Sequence, residues 1–149
     1  MKTQVQSQLS NPALQKAKGL PVFIVEDNPT YSYMLTYSLK EEFNFNISNF
    51  DSGEECLLNL EQQHPAIIIL DYKLKNMDGV SVLQYVKRSY PEIYVIVLTE
   101  QKNIHTAIEM MKRGAFDYLE KSKTSLDELK SSIYKVFEHM ALNKQIKMN

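Results

Sequence analysis

The sequence predicts an α/β domain built on a doubly wound, five-stranded parallel sheet. Three features point there. From Leu20 onward, short apolar runs alternate with longer stretches of helical periodicity, the pattern of consecutive β-α units. Runs such as Ile67-Ile68-Ile69-Leu70 and Val95-Ile96-Val97-Leu98 are apolar at every position, as parallel strands are when helices cover both faces. Helix-start signals fall in the gaps between the runs.

The predicted strands are Pro21–Val25, Asn46–Phe50, Ala66–Leu70, Ile93–Leu98 and Ala115–Leu119. Asn28-Pro29 caps a first helix with proline at its first position, and Tyr31, Leu35, Leu39 and Phe43 form an i,i+4 stripe along it. Ser52-Gly53-Glu54-Glu55 fits a capping box for the second. Asp78 caps a third, with Val82, Leu83 and Val86 inward. The apolar positions Ile104, Ala107, Ile108 and Met111 carry a fourth from about Asn103 to a stop at Gly114, with Met110-Met111 read as packing. Ser125-Leu126-Asp127-Glu128 opens a fifth, with Leu129, Ile133, Val136, Phe137 and Met140 inward. Residues 1–19 read as a flexible polar leader with a short helical piece around Ala13–Ala17. Residues 20–142 read as the domain, and 143–149 as the end of the last helix or a tail.

The totals exclude several classes. A chain of 149 residues suits one domain, and 44% hydrophobic with 23% charged residues is a globular composition. A net charge of -1 offers no broad electrostatic attraction to nucleic acid or to an anionic membrane. Neither a bilayer-spanning run nor a secretory signal is present. The one cysteine, Cys56, forms no internal disulfide, which suits the reducing cytoplasm, where the chain is expected.

In doubly wound folds the ligand site lies beyond the C-terminal strand ends. There the first strand delivers Glu26 and Asp27, the third Asp71, the fourth Thr99 and the fifth Lys121. One acid at a strand end is ordinary surface chemistry. Three acids, a hydroxyl and an ammonium on one edge are not. Crowded carboxylates repel, and a hard divalent cation such as Mg²⁺, which takes oxygen ligands, relieves the repulsion. The lysine suits a phosphate anion. His64, His105 and His139 have no ligand spacing.

From about Pro21 to Met140 the sequence resembles the receiver domain of two-component response regulators. The matching motifs are Val25-Glu26-Asp27-Asn28, Phe50-Asp51-Ser52-Gly53-Glu54-Glu55, Leu70-Asp71, Met77-Asp78-Gly79, Val97-Leu98-Thr99 and Asp117-Tyr118-Leu119-Glu120-Lys121. The resemblance implies a flavodoxin-like strand order of 2-1-3-4-5. It implies that Asp71 accepts a phosphoryl group from the phosphohistidine of a sensor histidine kinase or phosphotransfer protein. Glu26, Asp27, an Asp71 oxygen and the backbone carbonyl of Lys73 would hold Mg²⁺. Lys121 and Thr99 would contact the phosphoryl oxygens, and Tyr118 would turn inward as Thr99 moves, although a half-buried strand tyrosine explains Tyr118 almost equally well. The output would be a shift of the fourth helix, fifth strand and fifth helix, read by a downstream protein target. Such a chain is a signalling switch that catalyses only its own phosphorylation and dephosphorylation, not an enzyme acting on other substrates. The alternating charges Lys112, Arg113, Asp117, Lys130 and Glu138 would allow a homodimer through that face.

Three positions depart from the family pattern. Ser122 follows Lys121 where proline is usual, so a trans bond is expected there. Glu100 follows Thr99 where a small residue is usual; pointing inward, it would repel phosphate and slow both phosphorylation and water attack. Lys75 stands where the loop after Asp71 usually has proline. These departures leave open a degenerate receiver used as a phosphorylation-independent interaction module, which the intact Asp71 and Lys121 argue against. A flavin-binding protein of similar fold needs a phosphate-cradling loop, and the acidic Glu26-Asp27-Asn28-Pro29 would repel the flavin phosphate. No Gly-x-x-x-x-Gly-Lys-Ser/Thr segment exists, which excludes a P-loop hydrolase. After the last predicted helix no output domain fits, so the chain reads as a stand-alone receiver or a piece of a longer regulator. Direct DNA binding is not expected of it.

Overall fold

The computed structural model describes residues 11–122 and 124–148. The elements in chain order are α1 (Asn11–Ala17), β1 (Pro21–Val25), α2 (Pro29–Phe43), β2 (Asn46–Phe50), α3 (Gly53–Leu60), β3 (Ile67–Asp71), α4 (Gly79–Ser89), β4 (Tyr94–Thr99), α5 (Ile104–Lys112), β5 (Asp117–Glu120) and α6 (Asp127–Met148). The strands form one parallel sheet in the order β2-β1-β3-β4-β5, as the resemblance implies.

The apolar runs become central strands because both of their faces are covered. Every residue of β3 is buried. Val22, Ile24, Ile67, Ile69, Ile96 and Leu98 face α2 and α6, meeting Leu35, Leu39, Phe43, Leu129, Ile133 and Val136. Phe23, Val25, Ile68, Leu70, Val95 and Val97 face the other way, onto Cys56, Leu60, Val82, Leu83, Val86 and Met110. Side chains alternate across a strand, so each strand feeds both layers. The edge strand β2 is only partly covered.

Three caps sit where the sequence places them: Asn28, Ser52 and Asp78 each accept a backbone N–H of the helix that follows, and Asn103 does the same for α5. Gly114, at φ 103°, ends the turn after α5 in the left-handed region.

Helix faces and ends add to the sequence reading. On α5 the buried residue is Met110, while Ile104, Ile108 and Met111 are 71%, 50% and 47% exposed. These three residues of the apolar pattern lie outward, while Ala107 packs against the core. At the start of the chain, the short helical piece expected around Ala13–Ala17 is the helix Asn11–Ala17, with Ala17 wholly buried and Leu14 packed on the core. Residues 1–10 of that segment lie outside the described residues. The last helix continues through 143–148.

Candidate functional site

The parallel register aligns the strand ends, so residues just past them share one edge. The N–H of Glu26 donates to the Phe50 carbonyl at 2.9 Å, continuing β1 for one residue. Asp71 closes β3, and the N–H of Tyr72 donates to the Leu98 carbonyl at 2.8 Å. The N–H of Lys121 donates to the Thr99 carbonyl at 2.7 Å, which carries the lysine to the same edge.

There the Lys121 ammonium lies 2.7 Å from Glu26 Oε1 and 3.2 Å from Asp71 Oδ2. Carboxylate oxygens of Glu26, Asp27 and Asp71 lie within 4.8 Å of one another. Glu26 and Asp71 are buried, at 3% and 5% exposure. Burial pushes the Glu26 carboxyl above its ordinary value, and Asp71 adds to the rise. The Lys121 ammonium and the Asn28 N–H, 3.0 Å from Glu26 Oε2, oppose it. Burial alone would lower the Lys121 ammonium, but Glu26 and Asp71 outweigh it and hold the group above its ordinary value.

The donor set fits a hard divalent cation. It is all oxygen, and it is partly sheltered from water. Glu26 Oε1 is buried against the Lys121 ammonium at 2.7 Å, and a carboxylate oxygen has more than one acceptor site to offer a cation. The neighbouring loop is held by two hydrogen bonds: the Lys73 N–H donates to Asp71 Oδ1 at 3.2 Å, and the Gly79 N–H donates to the Tyr72 carbonyl at 3.0 Å.

Glu26, Asp71 and Lys121 are thus in direct contact, with Asp27 beside them. Thr99 is buried at the edge, but its hydroxyl donates to the Gln101 carbonyl at 3.3 Å. Tyr118 is 3% exposed, within the layer under α4 and α5, with Tyr72 edge-on at 6.3 Å. The Lys121–Ser122 bond is trans. Glu100 is 73% exposed yet reaches within 3.7 Å of the Lys121 ammonium. Of the charges expected to line a dimer face, Arg113 pairs with Glu109, Lys130 leans on Glu42 at 3.8 Å, and Asp117 accepts the Ser132 hydroxyl at 2.8 Å.

Two contacts have no sequence signature. The Tyr31 ring covers Lys121, with its centroid 4.8 Å from the ammonium. Glu120 accepts the Lys102 N–H at 2.8 Å and ties the loop after β4 to β5.

Fold and edge together define a doubly wound α/β domain with its polar cluster at the strand-order reversal. A family model described as the response regulator receiver domain matches residues 22–134, and the chain belongs to that family. It is similar to the DNA-binding transcriptional regulator NtrC of Proteus hauseri, 28% identical over 124 residues, or 83% of this chain and 26% of that protein. It is likewise similar to the transcriptional regulatory protein ZraR of Escherichia coli (strain K12), 28% identical over 121 residues, or 81% and 27%. The chain spans about a quarter of the length of these relatives. Among solved structures, the signal receiver domain of a putative Luxo repressor protein from Vibrio parahaemolyticus matches with a TM-score of 0.76 at 28% identity, covering 85% of this chain and 95% of that one. TrrA of Thermotoga maritima, solved in complex with Mg(2+)-BeF, matches with a TM-score of 0.70 at 26% identity, covering 78% and 97%. Among the described residues no helix is long and apolar enough to cross a membrane.

Proposed function

We propose that this receiver domain takes a phosphoryl group onto Asp71 from a histidine kinase or phosphotransfer protein, with Mg²⁺ held by Glu26, Asp27, Asp71 and the Lys73 carbonyl. One observation carries the reading: a buried ammonium meets two of three converged carboxylates at 2.7 and 3.2 Å. Bound there, Mg²⁺ supplies positive charge that offsets the charge on the phosphoryl oxygens. Asp71 attacks phosphorus through a carboxylate oxygen. The bond from phosphorus to the donor imidazole nitrogen breaks, and its electron pair stays on that nitrogen. Lys121 exchanges its contact with Asp71 for one with a phosphoryl oxygen. Thr99 gives up the Gln101 carbonyl and turns its hydroxyl to the same group.

That turn loosens the loop between β4 and α5, whose other tether is Glu120 to Lys102. The exposed Ile104, Ile108 and Met111 on α5 then offer an apolar stripe to a downstream protein or a second copy. Tyr118, buried in the layer beneath α5, senses the same shift. In this reading the chain is a cytoplasmic switch that acts only on its own phosphoryl group. Its charge of -1 supports no direct contact with DNA by this domain.

Incubation with acetyl phosphate, with and without Mg²⁺, tests the reading by intact mass. A Mg²⁺-dependent phosphoryl adduct absent from Asp71→Asn is expected. The same adduct on Asp71→Asn would refute the assignment, and no adduct from acetyl phosphate or a cognate kinase would return the chain to the docking-module class.

A further inference from the structure

Lys121 needs a fixed head group on a stem of four rotatable bonds. Among the described residues, the loop after it does not supply that. Ser122 Oγ accepts the Thr124 and Ser125 N–H groups at 3.3 and 3.2 Å, which orders the turn without touching the ammonium. Glu26, Asp71 and Glu100 approach the ammonium with carboxylates, and the Tyr31 ring covers it as well. Tyr31 is itself anchored to the site. Its N–H donates to Asn28 Oδ1 at 3.0 Å, and the Asn28 N–H donates to Glu26 Oε2 at 3.0 Å. Glu26 Oε1 then meets Lys121 at 2.7 Å. These contacts form a closed circuit joining the end of β1, the first turn of α2 and the end of β5.

We propose that Tyr31 is a positioning residue for phosphoryl transfer, its ring face holding the Lys121 ammonium at the acid cluster without placing a further anion there. The proposal rests on the roles given above to Asp71 and Lys121. A ring face attracts an ammonium within about 6 Å through its quadrupole. Another carboxylate would hold the ammonium too, but would repel the arriving phosphoryl group. The ring does not compete for the ammonium's hydrogen bonds, so they remain free to turn from Glu26 and Asp71 to a phosphoryl oxygen.

The test uses the full chain with Tyr31→Phe, Tyr31→Leu and pentafluorophenylalanine incorporated at position 31. The last keeps the ring's shape and reverses the charge of its face. Two quantities are read: the initial rate of Mg²⁺-dependent uptake from acetyl phosphate, and the NMR shift of the Lys121 ε-methylene protons without donor, which an overlying ring moves upfield. Tyr31→Phe should keep the rate within about twofold and keep the upfield shift. Tyr31→Leu should lose the shift and about three- to tenfold in rate, and the pentafluoro ring should lose as much rate as leucine does. A pentafluoro chain as fast as Tyr31→Phe overturns the proposal. Uptake by wild type with an unchanged Tyr31→Leu rate overturns the role of Tyr31 alone. A wild type that takes up no phosphoryl group overturns the receiver chemistry and this role together.

Discussion

Gly79 couples packing to chemistry, and Gly79→Ala shows how. A Cβ built there lies 2.7 Å from the Asp71 carbonyl oxygen, 2.9 Å from Tyr72 Cα and 2.9 Å from the Tyr72 carbonyl oxygen. All three are backbone atoms of the segment that carries the acceptor, so no side chain can swing away. To reach the 3.4 Å of ordinary contact the Asp71 carbonyl must retreat by about 0.7 Å. Overpacking of this kind costs about 1–3 kcal/mol. For a chain of this size that lowers Tm by about 3–10 °C. The larger effect is on the site, because a shift of about 1 Å in a reacting group costs roughly 10²-fold in rate. A shift of this size should therefore slow phosphoryl uptake by about tenfold or more. Thermal melting and the acetyl phosphate rate, measured on one preparation, test both parts. Gly53→Ala is the control. Its nearest neighbour, at 2.6 Å, is Val82 Cγ2, the end of a side chain remote from Asp71 in sequence. It should move stability modestly and leave the rate alone. A Gly79→Ala chain with wild-type Tm and wild-type rate would refute the reasoning.

Two further predictions follow from the charges. Glu100→Gln removes an exposed carboxylate 3.7 Å from the Lys121 ammonium. It should speed both uptake from an anionic donor and loss of the phosphoryl group by about two- to fivefold, the range of an exposed charge. The gain should shrink in high salt, and unchanged rates at low salt would remove Glu100 from the account. Between α6 and α2, the Tyr134 hydroxyl donates to Glu42 Oε2 at 2.6 Å, and burial, with Glu42 adding, raises the phenol above its ordinary 10.0. The folded chain then holds a proton that the unfolded chain releases, so the contribution is complete below pH 10 and is lost as pH rises beyond it. Denaturant titrations from pH 9 to 11.5 should show a loss of stability that Tyr134→Phe flattens. Identical slopes in the two chains would contradict that.

The strands were legible because a run apolar at every position has few fates in a chain of this length. Ile67–Asp71 and Tyr94–Thr99 lie within a residue of where the apolar runs put them. The caps were legible because Asn28, Ser52 and Asp78 each bond locally. The polar edge followed from the strand ends, since a parallel sheet aligns what comes after them. Periodicity located α5 but left its buried face open. It reports that Ile104, Ile108 and Met111 share a face, but not whether that face meets the sheet or the solvent. The ring of Tyr31 over Lys121 had no signal at all. Ninety positions separate the two residues, and Tyr31 already had an explanation as the first member of the α2 stripe. Tyr118 shows the remaining ambiguity: a core tyrosine and an inward switch residue occupy the same buried place.

The central claim is that Asp71, and no other carboxylate of the cluster, carries the phosphoryl group. Borohydride reduces an acyl phosphate to an alcohol, so an aspartyl phosphate becomes homoserine and leaves a permanent mark. The measurement is peptide mapping after acetyl phosphate, Mg²⁺ and borohydride. The account predicts homoserine at position 71, with Glu26 and Asp27 unmodified. Reduction products at Glu26 or Asp27, or none at position 71 in a chain whose intact mass shows the adduct, would contradict it.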